Sequence, residues 1–181
     1  MELPIVFVMG LSGAGKSTLG GYIHDDLNFL HLEQDIPGEN GIDKAGIRIV
    51  WNRYLELHDS VSLSEALRRM AQNKGKAGIV LTFDSQVSFS LQDMATAKEA
   101  GIIVVLLDGS DEDCMNSFLK RETASPTKYD EKHWHDYNDS SLIKFQGLEY
   151  DEYRIKAFEK HDHVSPEYLI ESIKQKIAKN S

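Results

Sequence analysis

Eight consecutive residues carry the most legible chemistry in this chain: Gly10-Leu11-Ser12-Gly13-Ala14-Gly15-Lys16-Ser17. Their spacing, G-x-x-x-x-G-K-S, joins a glycine-rich turn to an ammonium group and a hydroxyl. Gly10, Gly13 and Gly15 permit a tight, partly left-handed backbone whose N–H groups converge on phosphate oxygens. Lys16 brings positive charge to the β- and γ-phosphates, and the Ser17 hydroxyl is placed to ligand Mg²⁺. Ser12, Ala14 and Thr18 complete the cradle. Thr18 stands where a dinucleotide-binding fingerprint needs its third glycine, so that fold is excluded. The pattern implies a grip on the phosphates of a nucleoside triphosphate.

Such a loop works only between a buried strand and a helix. Ile5-Val6-Phe7-Val8-Met9 is a short continuous apolar run suited to a parallel sheet. Behind the loop, Leu19, Ile23 and Leu27 recur at helical spacing, so the amino end of that helix adds its partial positive charge to the anion site. Gly20-Gly21 inside the helix costs about 1 kcal/mol per residue against alanine, and close packing on the sheet would account for it. Farther along, Phe29 to Glu33 alternates like a half-buried strand. Ile47, Val50, Trp51, Tyr54 and Leu57 follow at helical spacing, and another helix starts near Ser62, with Ser62 as its cap and Glu65 three residues on. Ile79 to Phe83 reads as a strand, and Ser90 to Ala100 as a helix stopped by Gly101. Ile102 to Leu107 is the strongest candidate for a central strand, and Asp111 to Arg121 reads as a helix. Residues 122–148 are polar and aromatic with little periodicity. A weak strand near Tyr153 to Phe158 precedes a final helix from Pro166 capped by Ser165. Alternation of this kind predicts an α/β protein with a parallel sheet covered on both faces.

The 181 residues suit one domain, and 41% hydrophobic with 27% charged residues describes a globular chain. Twenty lysines and arginines against 29 aspartates and glutamates give a formal charge of −9. That field repels nucleic acid and anionic membranes, so neither is expected as a partner. Cys114 is the single cysteine and fits a reducing compartment. Met1-Glu2-Leu3-Pro4 has no basic n-region, and no apolar run approaches transmembrane length. The expectation is a cytoplasmic protein.

The layout, together with Gly10 to Thr18, resembles the small P-loop kinases that act on nucleoside monophosphates, shikimate, gluconate and adenylylsulfate. Gly-Leu-Ser-Gly-Ala-Gly-Lys-Ser-Thr is similar to the loop of the adenylylsulfate kinases. The resemblance implies one domain over 1–181 with a three-layer α/β/α P-loop NTPase fold, a parallel five-stranded sheet and a lid at about 122–148. It implies ATP and Mg²⁺ as cofactors and transfer of the γ-phosphoryl group to a hydroxyl of a small metabolite such as a sugar acid. Two alternatives stand beside it. One is a nucleoside monophosphate kinase, against which Thr82-Phe83-Asp84-Ser85 replaces the Asp-Gly-x-Pro-Arg of those enzymes. The other is an ATP-binding module with weak or lost catalysis.

The same resemblance assigns roles beyond the loop. Asp35 falls where these kinases carry an acidic residue near the acceptor hydroxyl or the metal, and would activate the acceptor; its other reading is a turn aspartate before Pro37-Gly38. Asp84 would hold Mg²⁺ through water, or end a strand as a turn residue. Pro37-Gly38-Glu39-Asn40 and Arg48-Ile49-Val50-Trp51 resemble segments of the gluconate-type kinases, which makes Arg48 a candidate substrate clamp. The spacing from Asn40 to Arg48 is shorter than in that family, and the Asp-Gly-Asp-Asn of adenylylsulfate kinases is replaced by Glu33-Gln34-Asp35-Ile36. Of the lid's two arginines four residues apart, Arg121 matches the second, and Ser117 stands at the first. Arg121 would neutralise charge on the transferred phosphoryl group, or else simply complement a helix C-terminus. Val164-Ser165-Pro166-Glu167 resembles the turn bordering adenine.

Two other readings fail on the residues. Asp35-Ile36-Pro37-Gly38 and Asn73-Lys74-Gly75-Lys76 resemble GTPase motifs, but Lys76 stands where an aspartate must read guanine. His133-Trp134-His135 and His161-Asp162-His163 space histidines as metal ligands are spaced, yet no cysteine or carboxylate cluster completes a site, which leaves surface histidines.

Overall fold

A computed structural model describes residues 2–33, 59–83, 90–123, 128–142 and 147–180. Strand β1 (Ile5–Gly10) leads through the glycine loop into helix α1 (Lys16–Leu27), followed by β2 (Phe29–Glu33). Then come α2 (Ser60–Asn73), β3 (Gly78–Thr82), α3 (Leu91–Glu99), β4 (Ile102–Asp108) and α4 (Asp111–Glu122). Helix α5 (Glu131–Leu142) and a 3-10 turn (Leu148–Tyr150) precede β5 (Arg154–Lys156). The hairpin β6 (Phe158–Glu159) and β7 (Asp162–His163) precedes the closing helix α6 (Pro166–Lys179). The helix expected around Ile47 to Leu57 lies outside the described residues.

Five strands form one parallel sheet in the order β2-β3-β1-β4-β5. Strand β1 occupies the centre, between β3 and β4. Strand β4, expected to be central, is also paired on both sides, but β5 covers only Leu106 to Asp108 of it. Period-two alternation divides the buried residues between two faces. Ile5, Phe7 and Met9 of β1 join Leu63, Leu67, Met94 and Ala97 from α2 and α3. Val6 and Val8 join Leu19, Ile23, Cys114, Phe118, Trp134 and Ile170 from α1, α4, α5 and α6. The result is the three-layer α/β/α architecture expected from the alternation of elements. Chain leaving β1 enters a helix on one face, and chain leaving its neighbour β3 enters a helix on the other. A crevice opens at such a reversal, at the carboxyl ends of the strands, and the glycine loop stands there.

Two local expectations are corrected. The cap of α2 is Asp59, whose carboxylate accepts from the Ser62 amide at 3.0 Å and from the Ser62 hydroxyl at 2.6 Å, so the helix begins a residue after Asp59 and Ser62 lies inside it. Residues 122–148, which show little periodicity in sequence, contain the twelve-residue helix α5.

Gly20 and Gly21 separate cleanly. A Cβ on Gly20 would stand 2.1 Å from Nε2 of His31, a β2 ring that also bonds the Thr82 hydroxyl at 3.1 Å. Burial lowers the pKa of that imidazole, with Glu33 opposing, so the ring packs in its neutral form. Gly21 meets nothing within 4 Å. Gly20→Ala should therefore destabilise the fold by about 1–3 kcal/mol through overpacking, while Gly21→Ala should stabilise it by about 0.5–1 kcal/mol through helix propensity. Urea unfolding of both variants checks the opposite signs.

Candidate functional site

The loop between β1 and α1 includes a position that no side chain could occupy. Gly13 sits at φ 92°, and a Cβ there would fall 1.9 Å from the carbonyl oxygen of Cys114 and 2.9 Å from the Phe118 amide nitrogen. The loop thus lies flat on the first turns of α4. Gly15, also at φ 92°, is the N-cap of α1 in a left-handed conformation open to glycine at little cost.

That cap is unlike those of the other helices. Asp59, Ser90, Ser110, Asp130 and Ser165 each accept a hydrogen bond from a first-turn amide of α2, α3, α4, α5 and α6. Gly15 has no side chain to do so, and the first turn of α1 holds no acidic residue. The first amides of a helix need an acceptor from outside it, and here nothing on the helix itself supplies one or screens the positive end of its dipole. Lys16 adds its ammonium to this end. Its Nζ donates to Gly10 O at 3.0 Å and Leu11 O at 2.9 Å, folding the side chain back along the loop it follows. Ser17 and Thr18 are exposed on the same first turn. Left-handed glycines, a helix end without a side-chain cap and a cation bent over the loop are features that suit an anion.

Helix α5 holds the loop from the other side, through residues that sequence reasoning did not mark as functional. Asn138 is 0% exposed. Its Oδ1 accepts from the Ser12 amide at 2.8 Å, and its Nδ2 donates to Trp134 O at 2.7 Å. Trp134, also 0% exposed, donates from Nε1 to Ser12 O at 2.9 Å. Both polar groups of one loop peptide residue are therefore bound by side chains one helical turn apart. Tyr137 on α5 and Tyr129 before it lie 6.4 and 5.7 Å from the Phe118 ring, which ties α5 to α4.

Arg121 sits on the last turn of α4, the helix that the loop rests on. Its guanidinium pairs with Glu122 at 2.7 Å and lies 5.4 Å from the Phe118 ring centre. Ser117, one turn earlier, bonds His163 Nε2 at 3.0 Å. Cys114 is buried beneath the loop, and burial pushes its thiol up to about 12, which keeps it protonated and inert. Asp35, Arg48 and Asp84 lie outside the described residues. Three of the four histidines flagged by spacing take carboxylate partners: His133 with Asp130 at 2.5 Å, His135 with Asp139 at 3.4 Å, and His161 with Asp113 at 2.8 Å. Among the described residues no group of three or more histidines, cysteines and carboxylates could hold a metal, and no helix is long and apolar enough to cross a membrane.

Neither a protein-family model nor a curated protein matches the chain. Solved structures do. A sugar kinase from Janibacter sp. superposes with a TM-score of 0.57 at 18% identity, covering 97% of this chain and 95% of that one. Shikimate kinase from Bacteroides thetaiotaomicron gives 0.55 at 18% identity, over 95% and 97%. Deoxyadenosine kinase from M. mycoides, solved with dCMP and dCDP, gives 0.50 at 17% identity, over 97% and 99%. The chain shares its fold with these three structures over 95–97% of its length.

Asn138→Ala should leave the Ser12 amide without its buried acceptor, a loss of about 1–3 kcal/mol. Amide exchange at Ser12 should quicken with it. Native-like protection of Ser12 in that variant would show that α5 does not hold the loop.

Proposed function

We propose that this chain is an ATP- and Mg²⁺-dependent kinase that phosphorylates a hydroxyl of a small metabolite such as a sugar acid. The observation that carries the proposal is the α1 terminus. An uncapped helix end and Lys16 meet a left-handed glycine loop at the carboxyl edge of a parallel sheet. The solved chains of the same fold are named as kinases of a sugar, of shikimate and of deoxyadenosine, which supports a small hydroxyl compound as acceptor.

ATP supplies the phosphoryl group, and Mg²⁺ neutralises charge spread over its oxygens. The amides of Gly13, Gly15 and the first turn of α1 hold phosphate oxygens in a fixed field, which needs no reorganisation during transfer. Lys16 exchanges its two carbonyl partners for phosphate oxygens, a short swing because those carbonyls line the same loop. The Ser17 hydroxyl, exposed beside it, would hold the metal, with Asp84 as a second holder through water. Asp35 accepts the proton of the attacking hydroxyl, and Arg48 clamps the acceptor. Arg121, an exposed side chain paired with Glu122, would leave that partner to neutralise charge on the transferred group. In this reading, residues 122–148 close over the site, with α5 as their anchor on the loop. The location we propose is cytoplasmic, a reducing compartment that suits a chain with a single cysteine.

Lys16→Ala should lower kcat/KM about 10²–10³-fold with the fold intact, measured on an acceptor found by thermal-shift screening of sugars, sugar acids and nucleotides. Unchanged turnover sinks the assignment, and ATP binding without turnover on any acceptor identifies a binding module instead. Asp35→Asn should reduce kcat by about 10²-fold or more while ATP affinity stays level. Collapse of ATP affinity alone would make Asp35 a metal residue.

A further inference from the structure

The hairpin β6–β7 is strained and is held by α4. Its two turn residues, Lys160 and His161, sit at φ 51° and 70°. A two-residue hairpin turn of this shape wants positive φ at both positions, which asparagine and glycine adopt most readily. Lysine and histidine do not, so contacts elsewhere must hold the turn. Two come from one side of α4. His161 Nδ1 lies 2.8 Å from the Asp113 carboxylate, and His163 Nε2 lies 3.0 Å from Ser117 Oγ, one helical turn along. The His163 ring also stacks on Phe158, its cross-strand partner, at 4.1 Å and 30°.

The remaining edge of that ring faces the glycine loop. A Cβ on Gly15 would stand 3.3 Å from His163 Cε1 and 3.5 Å from Nδ1. An imidazole nitrogen therefore lies against the residue at which the outward-facing amides of α1 begin. Tertiary contacts bring it there, because it lies 148 positions along the chain from Gly15.

We propose that His163 is a further ligand of the bound polyphosphate, donating from Nδ1 to an anionic oxygen beside Gly15, with Ser117 as its positioning residue. The inference rests on Gly10 to Ser17 being a triphosphate cradle. Neutral imidazole carries hydrogen on one nitrogen only, and the hydrogen bond at the other decides which. When the Ser117 hydroxyl donates into Nε2, the hydrogen stays on Nδ1, and Nδ1 becomes the donor that a phosphate requires. Phe158 fixes the ring plane. The nearby Asp113 carboxylate takes its hydrogen bonds from the Ser110 hydroxyl at 2.7 Å and from His161, which hold its pKa below the usual range, and among the described residues it bonds neither nitrogen of His163. Ser117 stands where the resembled kinases carry the first of two lid arginines, so the hairpin histidine supplies from another element a donor that α4 lacks at this position.

The test titrates inorganic tripolyphosphate and a non-hydrolysable ATP analogue, each with Mg²⁺, into wild type, His163→Phe and Ser117→Ala. The phenylalanine keeps the stack on Phe158 and removes the nitrogen. It should weaken both ligands about tenfold, as expected for one donor to an anion. Ser117→Ala should weaken both about threefold and move the His163 ring hydrogen toward Nε2, read from imidazole ¹⁵N shifts, a tautomer change that lost packing would not produce. In wild type those shifts should respond to tripolyphosphate alone. Equal affinities of wild type and His163→Phe overturn the inference, as does weakening of the analogue without the tripolyphosphate, which would place the ring on the nucleoside. Should His163→Phe fail to fold, an unresponsive His163 ring in wild type overturns it equally. Wild type that binds neither ligand removes the cradle itself, an outcome distinct from these.

Discussion

A loop that grips anions through backbone amides must be rigid, yet it cannot be held by those same amides. Whatever fixes it has to use the groups that face away from the ligand. In this chain the fixing is done from beneath and from one side. Gly13 lies on the Cys114 carbonyl of α4 with no room for a side chain, and the Ser12 amide and carbonyl are taken by Asn138 and Trp134 of α5. Gly15 and the first turn of α1 carry no side-chain cap. The loop thus divides into backbone held by α4 and α5 and a helix end that no side chain caps.

The rest of the molecule serves that division. The parallel sheet sets β1 at its centre and delivers the loop to the carboxyl edge, where helices leave on opposite faces. Packing between α1 and the sheet is close enough that Gly20 accepts the His31 ring where a methyl would collide. Helices α4 and α5 are joined to each other through Phe118, Tyr129 and Tyr137. Helix α5 is thereby tied both to α4 and, through Ser12, to the loop.

Much of this was open to reading in one dimension. The glycine-lysine-serine spacing is local, and its geometric demands on strand and helix are local too. Strands β1, β3 and β4 are apolar up to their last residues, Gly10, Thr82 and Asp108, and the caps Ser90, Ser110 and Ser165 precede their helices as capping chemistry requires. Helix α5 escaped for a physical reason. Its buried face pairs Trp134 with Asn138, so a position that hydrophobic periodicity expects to be apolar is polar, and its amide is satisfied only by a peptide far along the chain. The same holds at α2, where Asp59 and Ser62 are both competent caps and only geometry chooses between them. His163 was noted as half of a histidine pair, but neither histidine of that pair ligates the other's partner. One serves Asp113, and the other faces Gly15.

Sequence alone therefore determined the glycine-lysine-serine spacing at Gly10 to Ser17 and the alternation that builds a covered parallel sheet. Both depend on residue types within a few positions of one another, where spacing fixes geometry. Tertiary structure decided what surrounds the loop: α4 beneath it, Asn138 and Trp134 at its flank, and the hairpin histidine at its mouth. Those contacts join residues more than a hundred positions apart. Their partners are backbone atoms, which every residue carries, so no pattern of side chains along the chain could single them out.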